Sequence, residues 1–163
     1  MPQRPVLWIA GVVASLGLLT GCQAGVELSA DRIADLDEKG AADCEALLDA
    51  LPDSVADQGD RVVEREEGYG AAWGDPAIVL TCGMPEPKEF DETSACQITN
   101  DVAWFIPQEE IDVGEPTEIT MTTIGRTANV EVRLPPDYWP PAAAMVDLAA
   151  AIKETLPVVR ECG

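Results

Sequence analysis

The chain contains no histidine. That absence removes the Ser-His-Asp triad, the Cys-His pair and histidine-bound metal centres from consideration. Carboxylate chemistry survives it, as in glycosidases, but thirty Asp and Glu side chains spread along the chain single out no pair. Basic residues are scarce, ten against those thirty, and the formal net charge is −20. Nucleic acid is therefore not an expected partner, because its phosphates demand basic patches. An anionic membrane surface would repel the domain for the same reason, and a solvated acidic surface is the plainest use of such charge. No Gly-rich phosphate loop opens a helix. One calcium-loop mimic, Asp35-Leu36-Asp37-Glu38-Lys39-Gly40, places Lys39 in the fifth position and Ala46 in the twelfth, where an oxygen ligand and a bidentate Glu belong. The sequence thus calls for no cofactor, no metal and no recognisable catalytic set.

What the chain does have begins at its N-terminus. Arg4 precedes an apolar run from Val6 to Leu19, and the run ends at Leu19-Thr20-Gly21-Cys22. This is the layout of a secretory signal peptide. The run is too short for a membrane span, which needs about 20 residues. The last four residues resemble the lipobox of bacterial lipoproteins, which implies cleavage before Cys22 and lipidation of its thiol. Residues 1–21 are then the signal peptide, 22–42 an acidic tether and 43–163 a single globular domain, held by lipid at the extracytoplasmic face of the cell membrane. Two or more acyl chains would anchor it stably.

Four further cysteines, Cys44, Cys82, Cys96 and Cys162, make an even set in an exported domain and predict two disulfides. Cys82 and Cys96 bracket a loop rich in Pro, Glu and Asp, which favours a local bridge and leaves Cys44 to join Cys162. The rival pairing, Cys44–Cys82 with Cys96–Cys162, stays open. Zinc is disfavoured by the wide spacing and the missing histidine.

Periodicity supplies the elements. Ala42–Leu51 has helical spacing, with Cys44, Leu47, Leu48 and Leu51 on one face and Pro52 as the stop. Residues 61–66 suit a short polar strand. A Gly68-Tyr69-Gly70 hinge precedes the continuous apolar run Ala77–Cys82, the pattern of a strand buried on both faces. Ile98–Pro107 reads as another strand. From Glu118 to Ile124 and from Ala128 to Leu134 the side chains alternate with period two around Gly125-Arg126, the mark of a hairpin with a two-residue turn. Pro140-Pro141 opens a helix whose apolar stripe is Met145, Leu148, Ile152 and Leu156, and Pro157 is expected to kink or end it. The inventory predicts a two-layer α+β fold: an antiparallel sheet of four to five strands with an N-terminal and a C-terminal helix packed on one face.

A binding surface would draw on Trp73, Asp75, Arg126, Tyr138 and Trp139. Trp73 lies among glycines before a buried strand, where it either caps the core or meets a ligand. Trp104, on a strand, suits the core. Arg126 sits at a hairpin tip, ordinarily a solvated place. Tyr138 and Trp139 stand between prolines in a rigid segment.

Cys44-Glu45-Ala46-Leu47-Leu48-Asp49-Ala50-Leu51-Pro52, followed by Ala71-Ala72-Trp73-Gly74-Asp75-Pro76-Ala77-Ile78-Val79-Leu80, resembles a set of actinobacterial lipoproteins. Cys82-Gly83, Val102-Ala103-Trp104, Gly125-Arg126 and Val130-Glu131-Val132 extend the likeness to the family called domain of unknown function 3515. The resemblance implies a small exported envelope protein and supplies no catalytic residues. Three functions are then in contention. The first is a non-catalytic accessory module acting through an envelope protein partner. The second is a binder of a small envelope ligand, a peptide or cell-wall fragment, in a pocket lined by Trp73 and Tyr138. The third is an enzyme using carboxylates alone.

Overall fold

The computed structural model describes residues 26–28, 35–64, 68–111 and 114–162. Residues 1–21, expected to be a signal peptide, and Cys22, the expected lipidation site, lie outside the described residues. Helix α1 spans Glu38–Ala50 and α3 spans Ala142–Thr155, with a single turn, α2, at Gln108–Ile111. Asp37 caps α1: its Oδ1 accepts from the Gly40 amide at 2.7 Å, satisfying one of the free donors of the first turn. That cap starts the helix four residues before the apolar periodicity does, so residues 38–41 form its first turn. Leu51 turns extended ahead of Pro52, as the residue before proline must.

The strands are β1 (Val26–Glu27), β2 (Ser54–Val55), β3 (Gln58–Arg61), β4 (Val63–Glu64), β5 (Tyr69–Trp73), β6 (Ile78–Met84), β7 (Gln97–Thr99), β8 (Val102–Phe105), β9 (Ile119–Thr123) and β10 (Asn129–Leu134). Eight of them make one antiparallel sheet in the order β2-β3-β5-β6-β10-β9-β8-β7, and β1 pairs in parallel with β4 beside it. The α+β character holds, but the sheet has eight strands rather than four to five. The additional strands are short and polar or Gly-containing, so no alternation marks them. Residues 58–61 and 69–73 become strands because neighbours pair with them: Arg61 faces Ala72, and Trp73 faces Ile78.

The stretch read as one strand from Ile98 divides into the hairpin β7–β8. Asn100 and Asp101 take φ of 48° and 65°, the left-handed pair that closes a tight hairpin. The β9–β10 hairpin has the expected faces, but residues 124–128 connect its strands instead of two. Gly125 has φ +76°, and a Cβ there would collide with the Arg160 carbonyl. The C-terminal segment docks on this loop and enlarges it.

Both long helices touch the same sheet, α1 against β5 and β6 and α3 against β2, β7 and β8, and they touch each other. Between helices and sheet lies the core, which includes Leu47, Leu80, Trp104, Met121, Val132, Met145, Leu148 and Ile152. The bridges are Cys44–Cys82 and Cys96–Cys162, with Cα atoms 5.7 and 6.4 Å apart. The local Cys82–Cys96 pairing is therefore overturned: Cys82 points inward from β6 and meets α1, so it cannot turn toward its own loop.

Candidate functional site

The face of the sheet away from the long helices carries a different chemistry. Register places Gly70, Thr81, Glu131, Thr122 and Phe105 in one row across β5, β6, β10, β9 and β8. Thr81, Glu131 and Thr122 are all buried, Glu131 to 9% exposure. The alternation that sends Leu80, Val132 and Met121 into the core sends these three to the opposite side. Leu28 covers Gly70 there, close enough that a Cβ on the glycine would clash with it.

Over the β10–β9 part of this face lies a cleft of about 530 Å³. Thr120, Thr122 and Glu131 line its sheet side, Met84 to Glu89 one wall, and Pro107, Glu109 and Glu110 the other. The second wall is fixed by a strand ending. Past Phe105 the β8–β9 ladder stops, and the Thr120 amide donates to Glu110 Oε2 at 2.5 Å instead. Burial, with the carboxylates of Glu109 and Glu118 nearby, pushes the Glu110 pKa up, while the Thr120 amide works against the shift. The first wall is held from the C-terminus: Arg160 pairs with Glu86 and lies 5.6 Å over the Phe90 ring. Phe90 in turn meets Phe105 edge-on, with centroids 5.4 Å apart. Five glutamates and one lysine line the cleft, so it suits a positively charged or hydroxylated occupant rather than an anion.

The residues singled out from sequence fall elsewhere. Trp73 is in the core at 2% exposure, and its indole donates to the Pro52 carbonyl at 3.1 Å. Trp104 is fully buried. Asp75 is exposed and lies 3.3 Å from the Arg61 guanidinium, which also donates to the Gly74 carbonyl. Tyr138 is half-buried, and its hydroxyl lies against Gly74, where a Cβ would come within 2.8 Å of it. Trp139 is 45% exposed. Asp75, within the β5–β6 turn, and Tyr138, packed against that turn at Gly74, thus lie near one another, and Trp139 follows Tyr138 in the chain.

Arg126 lies at the opposite end of the sheet, beyond the β10 terminus that faces Met84. It is buried rather than solvated: one guanidinium nitrogen donates to the Leu156 carbonyl at 2.5 Å, the other to the Asp101 carbonyl at 3.1 Å. A cation at the C-terminal end of α3 meets its orphan carbonyls and the negative end of its dipole. Burial lowers the Arg126 pKa. The residue ties the hairpin loop to α3 and is not among the residues that line the acidic cleft.

The cleft residues Thr120, Thr122, Glu131 and Glu110 escaped the sequence reading. The first three occupy the outward positions of the β9–β10 hairpin, where Thr and Glu are ordinary solvent-facing residues. Only their coverage by the loop after Met84 and by α2 distinguishes them. Among the described residues no group of acidic or cysteine side chains is placed to hold a metal ion, and no helix is long and apolar enough to cross a membrane.

No curated protein and no solved structure gives a significant match to this chain. A family model does: the one described as a protein of unknown function, DUF3515, matches residues 4–160. With nearly the whole length matched, the chain belongs to the DUF3515 family.

Proposed function

We propose that the protein is a lipid-anchored lipoprotein of the cell envelope, held through Cys22 at the extracytoplasmic face of the membrane. There it serves as a non-catalytic interaction module for an envelope protein. The observation that carries the interaction reading is the acidic cleft on the face of the sheet away from the two long helices, walled by Met84–Glu89 and by Pro107–Glu110. Its lining favours a basic segment of the partner, because carboxylates in a partly enclosed site attract cations more strongly than solvated ones do. Support for the location comes from Arg4, the apolar run and Leu19-Thr20-Gly21-Cys22. The lack of histidine favours binding over catalysis.

A small ligand, a peptide or cell-wall fragment, is the second reading. It is favoured by the cleft's volume, which falls in the range of small-molecule sites. The pocket for it is this cleft rather than the smaller hollow of about 210 Å³ that Trp73 lines in part and Tyr138 does not; Trp73 is 2% exposed.

Cross-linking in intact producing cells, followed by purification and mass spectrometry, tests the proposal. The intact chain should recover one partner in near-equal amount, and Cys22→Ala, which releases the protein from the membrane, should lose it. A double charge reversal at the exposed rim, Glu89→Lys with Glu109→Lys, should lose the partner while the protein stays membrane-bound. Unchanged recovery with the rim variant would remove the cleft from the interaction. Recovery of no partner by the intact chain would overturn the module reading and turn attention to wall fragments.

A further inference from the structure

The segment Pro157–Cys162 runs across the β9–β10 loop and ends against a cleft wall. Its backbone is fastened at that loop: the Thr127 amide donates to the Pro157 carbonyl, and the Val159 and Arg160 amides both donate to the Gly125 carbonyl, at 2.8 and 3.1 Å. From there it grips residues 85–96 near both ends. Arg160 holds Glu86 and covers Phe90. Cys162 is bonded to Cys96. Residues 85–96 form no strand or helix, and their own hydrogen bonds are local, chiefly the turn in which Asp91 Oδ1 accepts from the Thr93 amide at 2.8 Å. A loop with few backbone ties of its own takes its position from what is bonded to it.

The two disulfides differ in access. Cys44 and Cys82 are both fully buried, whereas Cys96 and Cys162 are both partly exposed. Thiol–disulfide exchange requires a thiolate to reach a sulfur, so an external reductant meets Cys96–Cys162 and not the core bridge.

We propose that Pro157–Cys162 is a releasable strap that sets the shape of the cleft, with Arg160 as its positioning residue and a dithiol as the agent that opens it. One thiolate of the dithiol attacks a sulfur of Cys96–Cys162 and forms a mixed disulfide, displacing the other cysteine as a thiolate that takes up a proton. The second thiol of the reductant, after losing its proton, then closes onto the first. Cys96 and Cys162 leave as thiols, and the dithiol as an intramolecular disulfide. With its covalent end free, the strap no longer fixes Arg160 against Glu86 and Phe90, and the wall formed by residues 85–89 moves away from Thr122 and Glu131. The functional meaning rests on the cleft's being the interaction surface; the mechanical coupling does not.

The test uses the full-length chain in detergent, titrated with dithiothreitol, with thiols trapped by alkylation and backbone amide exchange followed by mass spectrometry. Cys96 and Cys162 should become alkylated while Cys44 and Cys82 stay bridged. Amides of residues 85–96 should then exchange about tenfold faster or more, with β6 and β10 still protected. Arg160→Ala should speed exchange at residues 86–90 with both bridges intact. Simultaneous reaction of all four cysteines would overturn selective release. Unchanged exchange of residues 85–96 after selective opening, or unchanged exchange in Arg160→Ala, would overturn the coupling. No ligand enters these measurements, so their failure is separate from failure of the partner capture described above.

Discussion

Replacing Arg126 by alanine isolates a residue that sequence places at an exposed turn and structure places in a buried junction. The side chain makes one short charge-assisted bond to the Leu156 carbonyl and one to the Asp101 carbonyl, with a third, marginal approach to Ile152 at 3.5 Å. Bonds to charged groups contribute about 1.5–3 kcal/mol each, and a partly buried cation at a helix C-terminus adds up to about 2 kcal/mol. Against these stands desolvation of the guanidinium, several kcal/mol, visible in the lowered pKa and in a buried Nε with no partner. Truncation removes the charge and its desolvation cost together. It leaves the carbonyls of Leu156 and Asp101 without their donors and a cavity where the stem packed. The net loss should be about 2–4 kcal/mol, or roughly 5–12 °C in Tm for a domain of this size. Urea unfolding of the wild type and Arg126→Ala, with equal m-values as the check on two-state behaviour, reads it directly. A loss below about 1 kcal/mol would show that desolvation cancels the cap, and would refute the assignment of Arg126 as the tie between the hairpin and α3.

Four further outcomes follow from the same structure. Gly125→Ala should destabilise by about 1–3 kcal/mol in urea unfolding, since it adds positive-φ strain to a clash with the Arg160 carbonyl. Trp73→Ala should cost about 3–5 kcal/mol, whereas Trp139→Ala should stay within about 0.5 kcal/mol because its ring is half in solvent; comparable losses in thermal melts would contradict the burial assignments. Replacing both Cys44 and Cys82 by serine should cost about 2–5 kcal/mol in chemical unfolding. For pH, the folded-state pKa of Glu110 is raised above its ordinary 4.5, so the native state holds that proton longer than the unfolded chain. Its contribution is favourable in acid and declines as pH rises from the unfolded value through the folded one. Glu110→Gln should therefore gain on the wild type over that window in unfolding at stepped pH, and a gain confined to lower pH would reverse the sign.

The elements legible in the sequence are those whose burial is one-sided and repetitive. Met145, Leu148 and Ile152 announce α3, and Ile119, Met121, Val130 and Val132 announce the β9–β10 hairpin, because one covered face imposes a period. Ser54–Val55, Gln58–Arg61 and Tyr69–Trp73 carry no such period, and backbone pairing with neighbours made them strands. Asn100-Asp101 did hold a readable signal, a left-handed turn pair in the middle of an apolar run.

Composition and order by themselves determined the histidine-free, strongly acidic character of the chain, the even set of four cysteines after Cys22, the two long helices and the central hairpin. These follow from residue chemistry and short-range spacing, which tertiary contacts do not alter. The tertiary structure decided the rest. Cys82 faces α1 rather than its own loop, so the bridges span distant segments. Arg126 turns inward because the end of α3 arrives beside it. Thr122 and Glu131, ordinary outward residues of a hairpin, line a cleft only because the loop after Met84 and the turn at Gln108–Ile111 close over that face. Each depends on which distant segment comes to lie alongside, and that is settled by packing of the whole core, not by any local run of residues.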